Sequence, residues 1–193
     1  MAQTLLETIR IEGGKAYNLP YHQARFDRSR KALFGSAVPI DLQQYLDPPP
    51  NELYRCRILY TESIESVEYL PYTPKTVNTL KVVTGNALDY RYKYADRTQL
   101  NVLLEAHPDA DEIIIEQNGL LTDTTIANIA FFDGRKWFTP KTPLLEGTMR
   151  ASLIDSGKLQ RADICKSDLP NYTHVALMNA MIGFKILKEV TII

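Results

Sequence analysis

The chain has 193 residues, a formal net charge of −1, 45% hydrophobic residues and only two cysteines. This is enough for one large domain or two small ones with a true core. The near-zero charge excludes a bulk pull toward nucleic acid or membrane. No apolar run approaches the roughly 18 residues needed to span a bilayer, and Met1 to Glu7 has no signal-peptide pattern. Cys56 and Cys165 have no metal-like neighbours and read as buried thiols in a reducing cytoplasm. His22, His107 and His174 have a spacing that suits no metal and read as surface or capping residues.

Thr4 to Ile11 alternates as a strand, with a turn at Glu12 to Lys15 and a short return at Ala16-Tyr17. Asn18 and Pro20 mark a helix start, the helix runs from Tyr21 to Phe34, and Gly35 stops it. Arg25, Arg28, Arg30 and Lys31 ride on it; such a cluster is ordinarily a solvated face, although an arginine's planar fork can also grip a phosphate. Leu42 to Leu46 predicts a short helix, ended by Pro48 to Pro50. Glu52 to Tyr60 predicts a strand with Tyr54, Cys56, Ile58 and Tyr60 on one face, and Ile64 to Leu70 another. Pro71 to Pro74 reads as a linker, which sets two domains, 1–74 and 75–193, with a cleft between them.

The second half opens with a buried strand at Thr79 to Val83. Ala87 to Tyr94 predicts a strand in which Tyr90, Tyr92 and Tyr94 alternate with Arg91 and Lys93. Asp96 then caps a helix with Leu100, Leu103 and Leu104 as its apolar stripe. Ile113 to Ile115 is a strand, Asn118-Gly119 a tight turn, and Val175 to Met178 a late strand. Between them, Leu121 to Arg150 organises the chain. An acid, Asp123, leads into the apolar run Ile126 to Phe132; Asp133-Gly134 makes a hairpin turn to Trp137-Phe138. Gly147 to Arg150 opens a helix whose amides can hold an anion. An acid and an anion-binding helix start can grip two ends of a charged ring cofactor. Lys93 is the candidate for its nucleophilic amine, since a helix start and partial burial both favour the neutral form. Taken alone, a lysine on a polar strand face is ordinarily solvated.

These segments resemble a known family, the fold type IV enzymes dependent on pyridoxal phosphate, which comprise class IV aminotransferases and 4-amino-4-deoxychorismate lyases. Leu6-Glu-Thr8-Ile-Arg10 resembles the family's Phe-Glu-Thr-x-Arg strand, and His22-Gln-Ala-Arg25-Phe-Asp-Arg-Ser29 its His-x-x-Arg-Leu-x-x-Ser helix. Lys93-Tyr-Ala-Asp-Arg97 resembles the lysine segment, and Leu121-Thr-Asp123-Thr-Thr-Ile-Ala-Asn128-Ile the Thr-Glu-x-x-x-x-Asn stretch. Thr139-Pro140 and Leu145-Glu-Gly147-Thr-Met-Arg150 resemble Thr-Pro and Leu-x-Gly-Ile-x-Arg.

The resemblance implies an α/β (α+β) D-amino acid aminotransferase-like fold of two small domains, a small-molecule amino substrate and a cytoplasmic homodimer. It implies that Lys93 holds pyridoxal 5′-phosphate as an internal aldimine and moves protons. Asp123 would bind the pyridine nitrogen, while Arg25, the backbone amides of Thr148 and Met149, and the Asn179-Ala180 turn would bind the phosphate. Thr8 matches a threonine that the lyases use near the substrate, and Arg97 their Lys-x-x-x-Arg pattern. Three departures stand out: Asp123 where glutamate is usual, Thr98 where the aminotransferases carry a tyrosine or similar group, and a start almost at Leu5, without the family's leader ending in Gly-x-Gly. The expected function is a lyase that expels pyruvate to give 4-aminobenzoate, a step of folate biosynthesis. The alternative is an aminotransferase for branched-chain or D-amino acids. A reading of another class is a non-enzyme: a polyanion-binding module using the Arg25–Lys31 helix, or a relative that binds cofactor without turnover.

Overall fold

The computed structural model describes residues 3–35 and 38–193. The chain divides into two compact units, one of residues 1–74 with 92–96, the other of 75–91 with 97–193. The segment that carries Lys93 thus folds with the first unit.

In the first unit, strands β1 (Leu5–Glu12) and β2 (Lys15–Ala16) are followed by helix α1 (Leu19–Phe34), then β3 (Leu53–Tyr60) and β4 (Ile64–Pro71). They form one antiparallel sheet in the order β2-β1-β3-β4. Alternation decides its two faces. Leu5, Ile9 and Ile11 of β1 and Cys56, Ile58 and Tyr60 of β3 form a core with Phe26 of α1, each fully buried large side chain contributing about 1.5–3 kcal/mol. Leu6, Thr8 and Arg10 point the other way. Helix α1 begins two residues earlier than expected. Its cap, Asn18, is in the left-handed region (φ 58) and makes no capping side-chain bond; Gly35 (φ 65) stops the helix by donating to the Lys31 carbonyl. The short helix expected near Leu42 is a single 3-10 turn, Leu42–Tyr45, started by Asp41.

In the second unit, β5 (Thr79–Thr84), helix α2 (Thr98–Glu105), β6 (Glu112–Gln117), β7 (Leu120–Thr124), β8 (Asn128–Phe132) and β9 (Trp137–Pro140) precede helix α3 (Thr148–Asp155). Strands β10 (Leu159–Ala162), β11 (His174–Asn179), β12 (Gly183–Leu187) and β13 (Thr191–Ile192) follow. The sheet runs β10-β9-β8-β7-β6-β5-β13, with β11 pairing β8 and β12. The two expected hairpins are present. Asn118 (φ 52) and Gly119 (φ 83) turn β6 into β7. Asp133 accepts the amides of Arg135 and Lys136 between β8 and β9.

Two expectations fail. Ala87 to Tyr94 is not a strand: it is irregular apart from one bridge, Tyr94 to Leu5. Asp89 breaks the alternation by accepting both the amide and Nε of Arg91. The helix after it is capped by Arg97, not Asp96, and has no side-chain cap bond. Among the described residues no helix is long and apolar enough to cross a membrane.

Candidate active site

The candidate residues form two groups, one in each unit. In the second unit, Asp123 ends up 3% exposed near the end of β7, directly across from Asn128 on β8. The intervening turn closes on itself: Thr124 bonds both the amide and the carbonyl of Ala127. Asn128 Nδ2 at 2.6 Å and the Leu145 amide at 2.8 Å donate to the carboxylate, and the Leu144 amide adds a weaker bond. Burial pushes the Asp123 carboxyl up to about 6, against those bonds and the charge of Arg150. A buried acid raised this far favours a cationic or proton-sharing partner.

Gly147 is the N-cap of α3. A Cβ there would lie 1.9 Å from Asn128 Oδ1, so only glycine lets the helix start approach the residue that orients Asp123. Thr148 and Met149 occupy the first two positions of α3, where amides face outward from the helix end. Arg150 reaches back to the Pro140 carbonyl at 2.8 Å and to Thr139 Oγ1 at 3.4 Å, so the two matched motifs Thr139-Pro140 and Leu145–Arg150 meet. Asn179 accepts the amides of Met181 and Ile182 and donates to the Ile126 carbonyl at 3.1 Å. The turn at Asn179-Ala180 is thereby tied to the turn after Asp123. Arg97 donates to the Thr125 carbonyl at 2.7 Å, and Glu112, fully buried, accepts the Thr125 amide and hydroxyl. The acid-bearing turn is held from three sides.

In the first unit, Lys93 lies half-buried beside β1, its carbonyl accepting the Leu6 amide at 2.8 Å. Arg25 is 6% exposed and forks onto Glu7: Nε to Oε1 at 2.8 Å and Nη2 to Oε2 at 2.6 Å. His22 Nδ1 reaches the same Oε2 at 2.6 Å. Burial alone would raise the Glu7 carboxyl, but the Arg25 charge and the bonds from Arg25 and His22 hold it at about 2. An ionised carboxylate only accepts, so Nδ1 carries the imidazole proton. Burial lowers the His22 pKa against its bond to Glu7, and Lys93 is near enough for its charge to push the same way. His22 is therefore no surface residue; it is fully buried. Cys56 is buried as expected, whereas Cys165 is only partly buried, and both cysteines are free. Arg25 and Arg30 are both buried, so α1 shows no continuous basic face for a polyanion.

Glu7 sets an acid limb of stability. Its pKa is depressed from 4.5 to about 2, so its contribution is complete above pH 4.5 and is lost as pH falls through that interval. The size is on the order of 3 kcal/mol. Urea denaturation at pH 7, 4 and 2.5 is expected to show this loss in the wild type and a much flatter profile in Glu7→Gln.

Thr8 is half-exposed on the outer face of the first sheet, across from Arg57. Arg10 and Arg55 are direct cross-strand partners on that face, an arrangement that like charges disfavour. Arg10 is paired with Glu12 at 2.8 Å, and Arg57 with Glu68 at 3.3 Å. Arg55 Nε is buried without a hydrogen-bond partner, and the phenol of Tyr72 feels both Arg55 and Arg10. Sequence reasoning missed this cross-strand arginine pair, as it missed Glu7 and His22.

Each group suits a part of pyridoxal phosphate: in the second unit a desolvated acid, suited to a ring nitrogen, with an outward-facing helix start one asparagine away, and in the first unit a buried arginine and a half-buried lysine. Residues 4–190 match the family described as Amino-transferase class IV. The chain belongs to this family of pyridoxal-phosphate-dependent enzymes. It is 40% identical over 184 residues to an uncharacterized protein of Haemophilus influenzae, covering 93% of this chain and 98% of that one. A crystal structure of a putative 4-amino-4-deoxychorismate lyase from Haemophilus somnus superposes with a TM-score of 0.86 at 38% identity, over 95% of this chain and 98% of that one. A putative amino-acid aminotransferase from Mesorhizobium loti shares the fold, with a TM-score of 0.82 at 23% identity over 98% and 99% of the two chains.

Proposed function

We propose that the chain is a 4-amino-4-deoxychorismate lyase, releasing pyruvate and leaving 4-aminobenzoate. The observation that carries this reading is the outer sheet face at Thr8, where Arg10 and Arg55 oppose each other and Arg55 Nε lacks a partner in a dry position. Such a face favours a substrate with more than one carboxylate, and 4-amino-4-deoxychorismate has two. The likeness to the Haemophilus somnus protein supports the same choice.

Pyridoxal phosphate, when bound, supplies an electron sink for the electron pair left at the substrate's α-carbon. Asp123 would hold the ring nitrogen and share a proton with it, a task suited to a carboxyl raised to about 6. The residues that would hold the cofactor's phosphate are Arg25, Thr148 and Met149 through their amides, and the Asn179-Ala180 turn. Lys93 would hold the cofactor through Nζ. The same amine would take the substrate's α-proton and return a proton to the enolpyruvyl methylene carbon as the C–O bond breaks and pyruvate leaves, ordinary general acid–base work. Thr8, on the same sheet face as Arg10 and Arg55, would orient the substrate.

Product analysis tests the reading. Purified enzyme given 4-amino-4-deoxychorismate is expected to release pyruvate and 4-aminobenzoate in equal amounts. Arg55→Met is expected to raise KM by about tenfold, the scale of one charge-assisted contact, with kcat little changed. Amino transfer from amino acids to keto acids, with no pyruvate released, would instead support the aminotransferase reading.

A further inference from the structure

Glu7 lies in the core face of β1, where its neighbours Leu5 and Ile9 are apolar, and it is fully buried. A carboxylate in such a place needs strong partners, and it has three bonds: two from Arg25 and one from His22. The guanidinium is planar, with donors in a fixed fork. Glu7 takes the edge made by Nε and Nη2. That choice fixes the plane of the group and directs its other edge, with Nη1, away from Glu7. His22 in turn holds Oε2, so the carboxylate cannot swing.

We propose that Glu7 is a positioning residue, one that aims the Arg25 fork for a phosphate ester and is itself braced by His22. This rests on the reading of Arg25 as the phosphate anchor. It has a consequence that net charge would not foresee. Glu7 cancels the charge of Arg25, so a simple Coulomb argument expects tighter phosphate binding when Glu7 is neutralised. Positioning expects weaker binding, because a loosened fork must be ordered when the phosphate arrives.

The test uses pyridoxamine 5′-phosphate and pyridoxamine, which differ only in the phosphate and form no covalent link to lysine. Their affinities for the cofactor-free protein are measured by calorimetry. The wild type is expected to prefer the phosphorylated form. Glu7→Gln is expected to lose about tenfold or more of that preference, the scale of a charge-assisted hydrogen bond, with pyridoxamine affinity unchanged. Glu7→Asp, which keeps the charge but is one methylene shorter, should lose most of the preference as well. Equal or tighter phosphate binding in Glu7→Gln would overturn the proposal. Arg25→Met separates the two ideas: if it too keeps the wild-type preference, Arg25 is not the anchor and the underlying reading fails first. Should the Glu7 variants not fold, the wild type labelled with 15N-arginine still decides. A cofactor-free Arg25 Nε–H signal in slow exchange with water is expected, and a fast-exchanging one would contradict a held fork.

Discussion

Lys93→Ala, purified in the presence of pyridoxal phosphate, is expected to lack the absorbance band at roughly 410–430 nm that a lysine-bound cofactor gives. Its turnover should fall by roughly 10²–10⁴-fold, the contribution of a positioned general base. The loss should be specific to this lysine. Lys75 bonds the Asp111 carbonyl and Lys81 pairs with Asp109 at 2.7 Å, so alanine at either is expected to change turnover less than about twofold, as surface substitutions usually do. Lys93 differs from both in its surroundings. It is half-buried, backbone-anchored to Leu6, and its charge is felt by a buried imidazole. Absorbance and steady-state turnover of the three variants check the claim together.

Asp123→Asn is expected to lower turnover by about 10²–10³-fold, the scale seen when one preorganised electrostatic partner is removed. The pH dependence makes a sharper test. In the cofactor-free protein the Asp123 pKa is raised from 3.8 to about 6 by burial. Its contribution to stability is therefore complete below pH 3.8 and is lost as pH rises through 6. The loss at neutral pH is on the order of 3 kcal/mol. A ring nitrogen that shares a proton with this carboxyl relieves the penalty. The rise in melting temperature on adding cofactor should then be larger at pH 7.5 than at pH 5 in the wild type. In Asp123→Asn the increment should be nearly flat with pH. A flat increment in both proteins would mean that Asp123 does not face the ring.

Much of the fold is written in local pattern. The period of two in β1 and β3, the Gly35 stop of α1, and the Asn118-Gly119 and Asp133-Gly134 turns all follow from side-chain chemistry within a few residues. The tyrosine alternation before Lys93 is the instructive failure. Period-two patterning predicts a strand only if nothing nearby competes for the backbone, and Asp89 competes through Arg91. Strand β13 was missed because its parallel pairing with β5 joins residues more than a hundred positions apart.

The candidate site divides in the same way. Asp123, Asn128, Gly147 and Arg150 lie on one continuous stretch of sequence, and their meeting could be expected from it. Glu7 and His22 left a signal that sequence reasoning passed over. Glu7 falls in the inward register of an apolar strand, and such an acid demands a buried partner. His22 and Arg25 are three residues apart on a helix and so share a face. The Arg10–Arg55 pair left no such signal, because cross-strand register depends on how the whole stretch between the two residues folds.

Lys93 is proposed as the residue that holds the cofactor. Protein loaded with pyridoxal phosphate, reduced with borohydride and digested, should yield one pyridoxyl-modified peptide, carrying the label on Lys93. A label on any other lysine, or none after saturating exposure, would contradict it.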